Sequence, residues 1–181
     1  MIPVKIQKIS YHPPSRSYAV ILKEITGKRC LPVIVGSFEA QSIALAIETV
    51  DTPRPLTHDL ICDMITGING ELKTVKISNL SDGVFYAKMA LETIEIGEKI
   101  IDARPSDAIA VALRMNTPIL VSPEVMNEAS VLEHSLVENK TPNKKVKISV
   151  DALKEKLKSA IEKEEYEMAA KLRDKISEME S

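Results

Sequence analysis

The chain has 181 residues, of which 44% are hydrophobic, and a net charge of −2. That length suits one full domain plus a small appendage. No apolar run approaches the roughly 20 residues of a membrane span, and the first ten residues alternate instead of forming a signal peptide, so we expect no membrane partner. Residues 1–138 carry 13 Lys and Arg against 17 Asp and Glu, a balance that argues against a general nucleic-acid binder with a basic surface.

Strands are predicted first along the chain, because apolar and polar residues alternate with period two. Pro32 lies inside the third predicted strand, which favours an edge position or a bulge there. Pro13 and Pro14 mark a loop between the first two strands. The three strands are expected at 4–11, 17–24 and 29–35, with a turn at 25–28 before the third.

Two helices follow, recognised by apolar residues that recur every three or four positions. We expect Ser37 to cap the first helix, over 38–50, and Thr57 to cap the second, over 58–67. A Ser-Asp-Gly turn at 81–83 then predicts a hairpin. The remaining elements are expected as strands at 72–80, 84–93 and 98–103, a helix at 105–115, a strand at 118–122 and a short helix at 123–136. The order β-β-β-α-α-β-β-β-α-β-α predicts an α/β fold, a mixed sheet with helices packed on it.

The two cysteines, Cys30 and Cys62, lie in apolar surroundings and lack the spacing of a metal site. We expect both to be buried, reduced thiols in a cytoplasmic protein.

The C-terminal part of the chain differs in composition from the rest. Residues 139–150 contain four lysines and no acid, which predicts a basic linker between an α/β domain at 1–138 and an appendage at 151–181. In the appendage, apolar residues form one stripe on each of two short helical segments, which predicts an α-helical hairpin. Helices of this length are marginal alone, so we expect the stripes to pack together and against a partner or a second copy.

Two segments of the α/β domain carry a family resemblance. The stretches "RPLTHDL" (54–60) and "IDARPSDAIAVAL" (101–113), preceded by 31–48, resemble the bifunctional nuclease family, a DNase and RNase domain. The stretch "LKEKLKSAIEKEEYEMAAKLRDKISEM" (153–179) resembles the UVR motif. The resemblance implies a nuclease that cleaves DNA and RNA with little sequence preference, a domain that forms a homo-oligomer, and a hairpin that binds a protein partner through 151–181. It supplies no established catalytic residues.

A candidate site follows from the chemistry of residues at the predicted helix starts. Hydrolysis of a phosphodiester needs an activated water, a group that neutralises the phosphate, and a proton for the leaving oxygen. The candidate catalytic residues are Asp102, Asp107, His58 and Asp59. The candidate phosphate-binding residues are Arg54, Arg104 and Ser106. A divalent cation, Mg²⁺ or Mn²⁺, is expected on Asp102, Asp107 and Glu39, since hard cations prefer carboxylate oxygens.

A purely structural interpretation of these residues stays open. Acids in a first helical turn stabilise the helix dipole by roughly 0.3–1 kcal/mol, and Ser106 is of a type that caps helices. Capping does not explain Arg104 or Arg54, which either pair with nearby acids in an internal network or bind an anion. In the alternative function the protein is a non-catalytic oligomeric adaptor, or binds an anionic ligand, in a repair or stress response. The most informative structural observation is whether the three helix N-termini converge on one pocket.

Overall fold

The structure, a computed structural model, describes residues 1–50 and 52–133. The mixed α/β class and the predicted order of elements are confirmed, with one further strand at the end. The elements are β1 (Ile2–His12), β2 (Ser17–Glu24), β3 (Arg29–Val35), α1 (Ser37–Ile47), α2 (Thr57–Gly67), β4 (Gly70–Ser81), β5 (Val84–Thr93), β6 (Gly97–Ala103), α3 (Pro105–Arg114), β7 (Ile119–Val121), α4 (Pro123–Ala129) and β8 (Val131–Leu132).

The chain divides into two units, Met1–Val137 and Glu138–Ser181. The predicted linker at 139–150 and the predicted helical hairpin at 151–181 lie outside the described residues, so both stay predictions.

The strands form one sheet in the order β6-β5-β4-β7-β1-β2-β3-β8. Neighbouring strands run antiparallel except β4 and β7, which are parallel. The β4–β5 turn is the predicted one: Asp82 and Gly83 both have left-handed φ angles, 51° and 76°, as the tight hairpin turn requires. Pro32 pairs with Ile21 of β2, whereas β8 meets β3 only at Arg29 and Cys30. Within the described residues Pro32 therefore lies on an open stretch of edge, where its missing N–H is tolerated.

Helix α3 packs against the sheet and against both α1 and α2. It is buried along almost its whole length, and its alanines Ala108, Ala110 and Ala112 are completely inaccessible. Because alanine is small, α3 fits closely between its neighbours. Ile43 of α1 and Ile109 of α3 fill the core between them. This packing places the start of α3 next to the first turns of the other two helices.

The predicted caps of α1 and α2 are wrong by one residue. Gly36 and Leu56 are the N-cap residues, so Ser37 and Thr57 are already helical and neither hydroxyl caps its helix. The carbonyl of Gly36 accepts the N–H of Ala40 at 3.0 Å. A capping hydroxyl is not needed there, because an extended glycine can end the preceding strand and begin the helix.

The last predicted helix is shorter than expected. Helix α4 ends at Ala129, and Ser130 has an extended backbone instead of continuing the helix to 136. The next two residues form β8 and pair with Arg29 and Cys30. Pairing with the sheet edge therefore overrides the helical pattern of the sequence.

Both cysteines are free thiols, as predicted. Cys30 is buried, whereas Cys62 on α2 is only partly buried, so the prediction of burial holds for the first alone. Burial raises the pKa of both thiols above the ordinary value, which keeps them protonated and unreactive at neutral pH. In the described part of the chain no helix is both long and apolar enough to cross a membrane.

Candidate active site

The first turns of α1, α2 and α3 line one open cleft of about 590 Å³. The helix N-termini therefore converge, a question that the sequence left open. Helix N-termini carry unpaired N–H groups and a partial positive charge, so a cleft that several of them line favours an anion. Its walls are Phe38, Glu39, Gln41, Ser42, Leu45, Leu56, Thr57, His58, Ile61, Arg104 and Asp107.

Arg104 is the cationic group of the cleft. It is the N-cap residue of α3, directly before Pro105, and its side chain is 68% exposed. Its Nε and Nη2 donate to the two carboxylate oxygens of Asp107 at 2.8 and 3.1 Å, and its Nη1 donates to Glu39 at 3.3 Å. The bond to Asp107 raises the pKa of Arg104 above its ordinary value. A guanidinium has five N–H groups, so two remain for another acceptor.

His58 lies deeper in the same cleft, with 14% of its side chain exposed. Its Nδ1 is 2.8 Å from the hydroxyl of Ser42, and its Nε2 is 3.3 Å from Oδ1 of Asp107. An ionised carboxylate only accepts hydrogen bonds, so we assign the ring hydrogen of neutral His58 to Nε2 and let Nδ1 accept from Ser42. A continuous chain of polar contacts thus runs from Ser42 through His58, Asp107 and Arg104 to Glu39.

Asp59 faces away from this cleft, towards Arg114 at the end of α3. Nε of Arg114 donates to Asp59 at 2.6 Å, and its Nη1 donates to the carbonyls of Ser42 and Ala110 at 3.2 and 3.0 Å. Asp59 also accepts the N–H of Leu56 at 2.7 Å, at the start of α2. The bond from Arg114 is the main cause that holds the pKa of Asp59 below its ordinary value, and the Leu56 N–H adds to it.

The structure does not bring Asp102 into the cleft. It lies on β6 opposite Lys88 of β5. Its neighbours Ile101 and Ala103 face α2, and side chains alternate along a strand, so Asp102 points to the other face of the sheet. The sheet therefore separates Asp102 from Asp107, although only four residues lie between them.

Arg54 and Ser106 also lie outside the cleft wall. Arg54 is exposed, and its side chain forms no ion pair with any other described residue. Ser106 is buried and lines a second cleft of about 340 Å³ that shares Arg104 and Glu39 with the first. Of the predicted residues, the main cleft contains His58, Asp107, Arg104 and Glu39.

The predicted metal ligands are not assembled. Among residues 1–50 and 52–133, no group of three or more His, Cys, Asp or Glu side chains is arranged to hold an ion. Asp102 lies on the other face of the sheet, and Glu39 and Asp107 both contact the guanidinium of Arg104. These donors therefore do not fit a metal held by the protein, since a cation would have to displace a paired arginine.

Sequence reasoning missed Ser42 and Arg114. Ser42 interrupts the otherwise apolar inner face of α1, and Arg114 ends an apolar helix; a polar residue on a buried face is the signal that could have found them. Their partners His58 and Asp59 are 16 and 55 residues away along the chain, a relation that no local pattern shows.

Comparison with known proteins identifies the family of this chain. The chain belongs to the bifunctional nuclease domain family, whose model matches residues 20–134. The model of the UvrB/uvrC motif matches residues 147–181.

Relatives include an uncharacterised protein of Mycobacterium tuberculosis, 40% identical over 129 residues, which cover 71% of this chain and 76% of that protein. Bifunctional nuclease 2 of Arabidopsis thaliana is 24% identical over 194 residues, covering 95% of this chain and 57% of the plant protein. Bifunctional nuclease 1 of Oryza sativa subsp. japonica is 29% identical over 108 residues, 58% of this chain and 33% of the rice protein. The chain thus spans little more than half of the Arabidopsis protein and about a third of the rice protein.

Proposed function

We propose that the protein is a nuclease that hydrolyses the phosphodiester bonds of DNA and RNA with little sequence preference. Membership of the bifunctional nuclease domain family supports this proposal. The observation that carries it is the chain of contacts from His58 through Asp107 to Arg104, in a cleft that three helix N-termini line. A site for a phosphodiester needs a cation and a proton-transfer group side by side, and these residues supply both.

In this proposal Arg104 binds the phosphate. Its two remaining N–H groups donate to non-bridging phosphate oxygens, while Asp107 and Glu39 hold the guanidinium plane in place. The unpaired N–H groups of the helix starts add to the attraction of the anion. Exposed acids of the domain surface that lie more than about 10 Å away are screened by salt, so they oppose the binding of the phosphate only weakly.

The His58–Asp107 pair moves the proton. The oxygen of a water molecule forms a bond to phosphorus while the bond from phosphorus to the ester oxygen breaks. A carboxylate oxygen of Asp107, to which Nε2–H of His58 donates, takes the proton of the water and returns it to the leaving oxygen, so that no net charge accumulates on the enzyme. Because Asp107 contacts both His58 and Arg104, it aligns the proton-transfer group with the phosphate-binding group.

The test is a cleavage assay on single- and double-stranded DNA and RNA, with wild type, His58→Ala and Asp107→Asn purified in the same way. We expect cleavage by wild type and a loss of about 100-fold or more in each variant. Equal trace cleavage by all three proteins would identify a contaminant and contradict the enzyme proposal.

A role of Mg²⁺ or Mn²⁺ stays a proposal for the same reaction, in which the ion arrives with the nucleic acid and not on a protein site. We expect either ion to change the rate by lowering the charge of the phosphate backbone. The assay therefore has arms with Mg²⁺, Mn²⁺ and chelator. This proposal includes no ion held by the protein. Cleavage that depends completely on one ion at micromolar concentration would contradict it.

We further propose that residues 151–181 bind a protein partner, as the matching UvrB/uvrC motif supports. If the assay above shows no cleavage by the wild type, residues 151–181 make the protein an adaptor, with the α/β domain as its oligomeric or anion-binding core. Deletion of 151–181 separates the two functions, because cleavage belongs to the α/β domain and partner binding to the appendage.

We also propose that the α/β domain associates with a second copy. Exposed Met64 of α2, Ile68 directly after α2, and Ile101 of β6 line an apolar cleft of about 620 Å³ beside the edge strand of the sheet. Apolar surface of this kind is typical of an interface. Light scattering should show an oligomer for wild type and a smaller species for Met64→Glu; an unchanged mass would place the interface elsewhere.

The two free thiols support a reducing compartment such as the cytoplasm.

A further inference from the structure

We propose that Ser42 and Arg114 are positioning residues for His58, and that Ser42 fixes the imidazole through Nδ1 while Arg114 fixes the helices that carry both residues. This inference rests on the proposed nuclease function for its consequence in catalysis, but its structural content can be measured on the imidazole itself.

The contact between Ser42 and His58 joins α1 to α2. The hydroxyl oxygen lies 2.8 Å from Nδ1, and Ser42 is buried, with 9% of its surface exposed. A hydroxyl can donate to Nδ1 of neutral imidazole and can accept from Nδ1–H of imidazolium. Ser42 therefore keeps a hydrogen bond to His58 in both protonation states, which a proton-transfer group needs throughout a catalytic cycle.

The second ring nitrogen explains why this contact matters. Nε2 of His58 reaches Asp107 at 3.3 Å, a long contact that fixes the ring poorly by itself. The shorter contact to Ser42 therefore determines the rotation of the ring. Without it, the ring could turn about its Cβ–Cγ bond and take Nε2 away from Asp107 and Arg104.

Arg114 holds the framework of this contact. Its guanidinium is 11% exposed and binds the side chain of Asp59, which follows His58 in α2, together with the carbonyl of Ser42 in α1. One arginine of α3 thus fixes the residue next to His58 and the backbone of Ser42. A planar guanidinium can bind several acceptors in a fixed geometry, which a lysine ammonium cannot reproduce.

The experiment uses the full chain and compares Ser42→Ala, Ser42→Thr and Arg114→Met with wild type. Ser122→Ala is the matched control, because Ser122 is also buried but caps α4 away from the cleft. Two readouts are recorded, kcat and KM for cleavage and the ¹⁵N signals of the His58 ring. The chain has three histidines, and His58→Ala assigns the signals of the one concerned.

We expect Ser42→Ala to lower kcat about 10- to 100-fold with KM within about twofold, since a misplacement of about 1 Å can cost that much. The Nδ1 signal of His58 should shift towards that of an unbonded ring nitrogen. Ser42→Thr keeps the hydroxyl and should restore most of both readouts. Arg114→Met should move the His58 signals in the same direction, and Ser122→Ala should change neither readout. If Arg114→Met does not fold, Asp59→Asn weakens the contact with Arg114 by removing the charge of the carboxylate, while the other partners of the guanidinium remain.

The inference is overturned if the His58 signals of Ser42→Ala equal those of wild type, or if Ser122→Ala lowers kcat as much as Ser42→Ala does. Failure of the nuclease proposal looks different: wild type and His58→Ala then cleave equally, and the ring signals alone decide whether Ser42 and Arg114 position His58.

Discussion

The pair formed by Asp59 and Arg114 makes a prediction about stability and its dependence on pH. The carboxylate accepts from Nε of Arg114 at 2.6 Å, and 32% of the Asp59 side chain is exposed against 11% for Arg114. A hydrogen bond to a charged group contributes roughly 1.5–3 kcal/mol, and a buried charge left alone costs roughly 3–5 kcal/mol. In Asp59→Asn the amide oxygen still accepts and water reaches the site. We therefore expect a loss of about 2 kcal/mol at pH 7, or about 4–8 °C in Tm.

The sign of the pH dependence follows from the lowered pKa of Asp59. A carboxyl whose pKa is lower in the folded state stabilises the fold above its unfolded pKa, near 4. That stabilisation is lost as the pH falls through the folded pKa. The difference in free energy of unfolding between wild type and Asp59→Asn should thus stay constant between about pH 5 and 7 and shrink below about pH 4.

Urea unfolding at several pH values measures both effects. Asp63→Asn is the control, because Asp63 is an exposed acid of the same helix and its substitution removes the same charge. The free energy of unfolding should change by no more than about 0.5 kcal/mol. Equal stabilities of wild type and Asp59→Asn at pH 7 would refute the reasoning, and so would a difference that persists unchanged at pH 3.

Three further predictions concern activity. Arg104→Lys should raise KM about tenfold and change kcat little, because an ammonium binds a phosphate without the two-pronged geometry; an unchanged KM would show that Arg104 does not bind the phosphate. Asp107→Asn should lower kcat about 100-fold or more, whereas Asp102→Asn should leave it unchanged, and the reverse order in the same assay would contradict the cleft as the active site. Deletion of 151–181 should preserve cleavage and the circular dichroism of the α/β domain, and loss of folding would contradict independent units.

Local patterns in the sequence were sufficient for the class and order of the elements. Alternation along residues 84–93 and the turn before them predict β5 correctly, since a strand with one buried face and a tight turn both leave a local signal. Local patterns failed where a distant partner intervened. Residues 131–132 continue a helical pattern but pair with β3. Gly36, not Ser37, is the N-cap of α1, because it directly follows the end of β3 at Val35.

The candidate site divides in the same way. The sequence by itself placed charged residues at three helix starts, and these starts do line one cleft. It could not tell that Asp102 and Asp107 lie on opposite faces of the sheet. That depends on the face to which each side chain of β6 points and on the face against which α3 packs. Nor could it tell that Asp59 pairs with Arg114 and not Arg54.

Composition, periodicity and turn residues thus determined which segments form strands and helices, because those signals act between residues that are neighbours along the chain. The tertiary structure alone decided which charges meet. Helix α3 packs between α1 and α2 through its buried alanines, and this packing brings Ser42, His58 and Asp107 into one chain of contacts. The physical reason is that a hydrogen bond needs its atoms within about 3 Å, a distance that folding sets and sequence separation does not.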